Sequence, residues 1–141
     1  GNEGVAANVN RVKGAVGYVE YAYVKKNNMT FMQLQNADGK YVAPDDLTFA
    51  SAAAGADWMK VPGMGVSMVN AKGAGSWPIS TASFILMYKQ PADKASAAEA
   101  LKFFDWAFMN GKKMAQDLDY VALPDGLTTQ IRAKVWTQIQ K

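Results

Sequence analysis

Gly14-Ala15-Val16-Gly17-Tyr18-Val19-Glu20-Tyr21-Ala22-Tyr23 decides how this chain is read. Val16, Tyr18 and Tyr21 favour extended backbone, and Gly14 and Gly17 break any helix arriving from the N-terminal side. A short strand over residues 15–19, followed by a helical turn from Glu20 to Lys26, satisfies both tendencies. Two glycines around one apolar strand mark a place where the backbone approaches something closely.

Working outward, residues 2–12 read as a helix. Asn2 caps it, Glu3 lies in the first turn where the helix dipole favours a carboxylate, and Val5, Val9 and Val12 form one stripe. Downstream, the alternation of residues 29–35 and the short run Tyr41-Val42 flank Asn36-Ala37-Asp38-Gly39-Lys40, which predicts a small hairpin around an Asp-Gly turn. Pro44-Asp45-Asp46 opens a helix with Leu47, Phe49, Ala50, Ala53 and Ala54 as its stripe and Gly55 as its stop. Residues 59–76, rich in Met, Val, Gly and Pro, read as a long irregular connection. Gly63-Met64-Gly65 lacks the third glycine and the following helix of a dinucleotide loop. Phe84-Ile85-Leu86-Met87-Tyr88 is a continuous apolar run, the pattern of a strand covered on both faces. The strongest helix spans 91–116, and Phe103, Phe104, Trp106 and Phe108 are expected to pack on that strand. A last helix from about Pro124 carries Leu127, Ile131, Val135 and Ile139 on one face.

Composition closes off several functions. Half of the 141 residues are apolar and there is neither cysteine nor histidine. Thiol catalysis, disulfides, Cys/His zinc sites and histidine acid–base chemistry are therefore excluded. The net charge of +3 comes from scattered lysines, in pairs such as Lys25-Lys26 and Lys112-Lys113. These read as solvated faces, and no dense basic stripe interleaved with aromatics points to nucleic acid. No apolar run is long enough to cross a bilayer. The best carboxylate pairs, Asp45 with Asp46 and Asp117 with Asp119, sit at helix ends and read as caps and solubilising charges, so no enzyme is expected.

Four stretches together resemble a known family. They are Gly1-Asn2-Glu3-Gly4-Val5-Ala6 with the Gly14–Tyr23 segment, Trp77-Pro78-Ile79 leading into Phe84-Ile85-Leu86, Leu101-Lys102-Phe103-Phe104-Asp105-Trp106-Ala107, and Asp119-Tyr120 followed by Leu123-Pro124. The chain resembles, from Gly1 to about Gln140, the periplasmic phosphate-binding proteins of ABC transporters. The resemblance implies an α/β fold: the C-terminal portion of a two-lobed periplasmic binding protein of type II, incomplete without its N-terminal half. Residues 1–75 are then expected in the second, distal lobe, and residues 76–141 in a returning hinge strand and the C-terminal part of the first lobe.

The function implied is a receptor that hands inorganic phosphate to an ABC importer. Its partners are phosphate, the permease subunits and the missing N-terminal portion, with no cofactor or metal, and it is peripheral to the membrane in the periplasm. A stand-alone α/β interaction module, or a receptor for another oxyanion, is the alternative. No charged-then-apolar leader precedes Gly1, as expected of a chain lacking its signal peptide and N-terminal half. The family's Arg-x-x-x-Ser-Gly-Thr loop has no counterpart, because the only arginines, Arg11 and Arg132, are not followed by it. No ligand residue is carried over. Gly1, Asn2, Glu3, Gly4, Tyr18 and Tyr21 remain as candidates for the cleft or hinge.

Overall fold

Helices and their caps account for most of the regular structure in the computed structural model, which describes residues 1–141. They are α1 (Asn2–Arg11), α2 (Tyr21–Lys26), α3 (Asp46–Gly55), α4 (Lys94–Asn110), α5 (Lys112–Asp117) and α6 (Asp125–Gln130). The only sheet is the expected hairpin, β1 (Leu34–Gln35) antiparallel to β2 (Tyr41–Val42), with Leu34 opposite Val42 and Gln35 opposite Tyr41. The chain is a helix-rich α/β fold with a very small sheet.

Local chemistry explains where the helices start and stop. At α3 the Asp45 carboxylate accepts from Thr48 N at 2.7 Å while the Thr48 hydroxyl accepts from Asp45 N at 3.0 Å, a reciprocal cap that satisfies two orphan donors. At α4 Asp93 accepts from the backbone and hydroxyl of Ser96, at 2.9 and 2.7 Å. The single long helix expected over 91–116 is divided at Gly111 into α4 and α5. α6 widens into a π-turn at Ile131–Val135 and tightens again at Trp136–Gln138.

The principal apolar cluster is Ala53, Trp58, Met64, Met68 and Leu127, with Leu123, Ile131 and Val135 packed against it. The irregular connection after α3 thus wraps its Trp and Met side chains onto the final helix, whose Leu127–Ile131–Val135 stripe docks as its spacing predicts. Trp58 also donates its indole N–H to Ala53 O at 2.7 Å, which fixes the ring over the end of α3.

A second, polar centre holds the hairpin. Asn36 is buried between the strands and the loop at 73–76. Its amide nitrogen donates to Ala74 O at 2.9 Å and Ser76 O at 3.2 Å, and its oxygen accepts from Asp38 N at 3.1 Å and Lys40 N at 3.0 Å. Ser76, fully buried, meets Ser51 of α3 at 3.0 Å and donates to Lys72 O at 2.9 Å. Gly73 adopts φ 125°, and a Cβ there would lie 2.7 Å from the Ser76 hydroxyl, so glycine is required on both counts.

Several expectations of burial fail. Residues 15–19 form no strand and have no ladder partner, and residues 84–88 likewise, so the run read as covered on both faces is open. Tyr18 is 87% exposed, Leu86 93% and Tyr88 83%. The aromatics of α4 are not all buried. Phe104 and Phe108 turn inward, Phe108 stacking on Trp136 at 5.5 Å, whereas Phe103 and Trp106 stack on one another at 6.3 Å on an exposed face. Leu47, placed on the buried stripe of α3 by its spacing, is 81% exposed, and Ala52 and Ala53 take the inner face. For the two apolar runs the reason is that no neighbouring strand lies beside either; Leu47 lies on the outer side of α3. The total accessible surface is 9756 Å², against about 7,100 Å² for a compact monomer of 15.3 kDa.

Asn36→Ala should remove the side chain that satisfies several buried groups and cost about 3 kcal/mol, the penalty for stranding buried donors and acceptors. Leu127→Ala should cost about 2–5 kcal/mol by opening a cavity against Trp58. Urea unfolding followed by Trp fluorescence checks both; losses below about 0.5 kcal/mol would show that neither centre bears on stability.

Candidate functional site

Gly1, Asn2, Glu3 and Gly4 form the exposed first turn of α1, and a Cβ at Gly1 or Gly4 would meet nothing. No side chain caps this helix. The Asn2 carboxamide, expected to cap it, instead accepts from Glu20 N at 3.2 Å. α1 therefore folds back along residues 15–20, and Gly17 is where it touches: a Cβ there would lie 2.8 Å from Val5 and 2.9 Å from Val9. The close approach expected of the glycine pair is thus against α1 itself. Tyr18 points away from all of this into solvent.

Tyr21 is placed differently. Its ring meets Phe31 edge-on at 6.0 Å and Phe49 at 5.5 Å, and Phe49 continues to Trp77 at 6.5 Å. These aromatics run from α2 across the hairpin side to α3 and the Trp77 turn. Of the six candidates, the structure brings Asn2 beside the Tyr18–Tyr21 segment and leaves Glu3 and Gly4 facing outward.

Beside Tyr21 lies a polar group that sequence reasoning missed. The Tyr120 hydroxyl donates to the Glu20 carboxylate at 2.9 Å, and the Lys25 ammonium forms an ion pair with Asp119. Asp119 has φ 62°, the left-handed region, at the turn that follows α5. The partners are about a hundred residues apart in sequence, so no spacing rule could have joined them. The Asp119 hydrogen bond and charge hold the Lys25 ammonium above its ordinary pKa, and the Glu20 carboxylate holds the Tyr120 hydroxyl above its own.

Some of the other charged side chains also have partners. Arg11 donates to Asn8 at 2.9 Å, and Arg132 to Asp105 at 2.6 Å while lying over Phe108. Asp117 pairs with Lys113. Asp45 is a cap. Of the carboxylates considered as catalytic pairs, Asp45 is held in a cap and Asp117 and Asp119 in ion pairs, while Asp46 stands in the first turn of α3. No group of three or more acidic residues could hold a metal ion. An open polar cleft lined by Asp57, Lys60, Ser67, Asn70 and Lys72 has a volume of about 480 Å³. Its Lys60 faces Asp57 at 3.2 Å, which offsets its positive charge.

No family model matches the chain. Individual proteins do: most are named phosphate-binding proteins, and a putative serine/threonine-protein kinase/receptor of Acanthamoeba polyphaga mimivirus is 31% identical over 103 residues, which cover 70% of this chain and 6% of that protein. The sequence is homologous, end to end, to a part of these phosphate-binding proteins. The phosphate-binding relatives are called PstS. That of Xylella fastidiosa strain Temecula1 is 48% identical over 133 residues, covering 94% of this chain and 36% of the relative. That of Pasteurella multocida is 47% identical over 141 residues, covering 99% of this chain and 41% of the relative. The Haemophilus influenzae protein is 43% identical over 141 residues, covering 100% and 42%. The chain thus spans about two fifths of the length of the phosphate-binding relatives it matches.

Raising the pH should dissolve the contacts beside Tyr21. Both groups have folded pKa values raised above their unfolded ones, so their stabilisation is complete below about pH 10 and is lost as pH rises through the folded values. Asp119→Asn should return Lys25 to an ordinary titration. Carbon–nitrogen NMR of the lysine side chains measures this, and an unchanged Lys25 titration in the variant would exclude the ion pair.

Proposed function

We propose that this chain is the C-terminal portion of a periplasmic receptor that binds inorganic phosphate and delivers it to the permease subunits of an ABC importer. The single observation that carries the reading is the 43–48% identity to phosphate-binding proteins over nearly the whole chain. The fold proposed is the two-lobed one, with the remaining lobe surface supplied by receptor outside this chain. Two apolar segments without ladder partners support it, since a strand satisfies its backbone and covers its apolar faces only beside other strands. Val16, Tyr18, Leu86 and Tyr88 are the side chains such neighbours would cover.

The proposed lobes meet at an extended crossing segment. A boundary near residue 75 follows from the glycine-rich connection. A boundary near residue 20 has more packing in its favour. Ser76 bonds Ser51, Trp77 N donates to Thr48 O at 3.0 Å, and Leu127 packs on Trp58, so residues 44–141 share contacts across position 75. On this reading α1 and residues 14–19 belong to the distal lobe and the rest to the other, with Tyr18 and Tyr21 on the hinge side.

Such a receptor works by closing two lobes around an anion, with backbone N–H groups and a cation holding it. Within this chain the parts are committed elsewhere. Glu3 competes with an anion for the α1 dipole, Asn2 is engaged with Glu20 N, and both arginines have side-chain partners. No helix of the chain is long and apolar enough to cross a membrane.

The 141-residue chain alone should therefore show no phosphate binding in the micromolar range by calorimetric titration at physiological salt. Binding should appear in the longer receptor that contains it, and sulfate should not replace phosphate. Micromolar binding by the chain alone would mean that it holds a complete site. Preference for sulfate in the longer protein would make it a receptor for another oxyanion.

A further inference from the structure

The contacts beside Tyr21 join two parts of the molecule that share few others. α1, residues 15–20 and α2 form one arm, held internally by α1 packed on α2, by Gly17 against Val5 and Val9 and by Asn2 on Glu20 N. Ala6 is the only buried residue of α1, and α2 buries none. Apolar burial therefore contributes little to fixing the arm on the body, and specific side-chain contacts must do it. One is the Tyr21 ring against Phe31 and Phe49. A single aromatic contact resists separation but allows rotation about itself.

The two polar links remove that freedom. Glu20 and Lys25 bracket Tyr21, one at the start of α2 and one in its last turn. Their partners are consecutive, Tyr120 and Asp119. The turn that carries them is itself fixed, with Asp119 N donating to Gln116 O at 3.0 Å and Tyr120 N to Ala115 O at 2.9 Å. Glu20 is also the residue whose backbone receives α1 through Asn2. It thus touches the arm with its backbone and the body with its side chain.

We infer that Glu20–Tyr120 and Lys25–Asp119 form a two-point latch that sets the angle at which the α1 arm leaves the body, with Tyr21 as its pivot. Asp119, Tyr120 and Glu20 are positioning residues and need not contact any ligand. The latch is exposed and polar, so it holds an orientation without locking it. This stands on the contacts within the chain and is independent of the phosphate reading; if that reading holds, the latch acts where the lobes cross.

The absence of native cysteine makes the test direct. Spin labels at Asn10→Cys on the arm and Lys134→Cys on the body, both exposed positions, report their separation by pulsed dipolar spectroscopy. The otherwise unaltered chain should give one narrow distance distribution. Asp119→Asn with Tyr120→Phe keeps a residue suited to the left-handed turn, removes the hydroxyl link and takes the charge from the other. It should broaden the distribution or move its mean by more than the original width, with circular dichroism unchanged. Lys113→Ala, which breaks the neighbouring ion pair to Asp117 but not the latch, should leave it as it was. Concentrated salt, where the screening length falls to about 3 Å, should broaden the distribution of the unaltered latch. A distribution unchanged in the folded double variant, or broadened equally by Lys113→Ala, overturns the proposal. Should the double variant lose its helices, the salt response decides alone, since it alters no residue: no broadening overturns the latch.

Discussion

The Asn36 carboxamide does for this chain what a sheet does for most α/β proteins. With only Leu34–Gln35 and Tyr41–Val42 in a ladder, backbone pairing cannot hold the non-helical regions in place. One buried amide, donating on one side and accepting on the other, ties the hairpin turn to the loop at 73–76. Ser76 extends the tie to α3 through Ser51, and Trp77 passes it to Thr48 and Phe49. A buried polar network of this kind is worth having only when every member is satisfied, because the low dielectric that strengthens each bond also raises the cost of a missing one. The positive φ of Gly73, which glycine adopts freely, belongs to the loop whose carbonyls meet this nitrogen.

The same scarcity of paired strand bears on the proposed function. Two segments with the composition of central strands form no strand and have no ladder partners, and their large apolar side chains face solvent. Relatives more than twice as long, nearly half identical to this stretch, bear the name of phosphate-binding proteins. A receptor that closes two lobes about an anion needs groups on both walls of its cleft. Several groups on this chain are instead engaged with one another: Arg11 with Asn8, Arg132 with Asp105, Lys25 with Asp119, Lys113 with Asp117, and Asn2 with a backbone amide. What the chain supplies to the proposed receptor is framework and orientation more than anion contacts.

The sequence by itself determined the local elements and the kinship. Periodicity marked α1, α3, α4 and the Leu127–Ile131–Val135 face, the Asp38-Gly39 turn marked the hairpin, and Leu101–Ala107 with the Gly14–Tyr23 stretch pointed to the family. These are readable because caps, turns and helical stripes depend on residues within a few positions of one another. Tertiary structure alone decided which stripes found cover. Leu47 and Trp106 have the spacing of core residues and lie exposed, because burial depends on what stands opposite. It alone decided that Gly17 makes room for Val5 and Val9, that Asn36 gathers carbonyls some forty residues away, and that Glu20 and Lys25 meet Tyr120 and Asp119. Contacts between residues so far apart along the chain leave no periodic trace in one sequence; they follow from how the folded segments come to lie against each other.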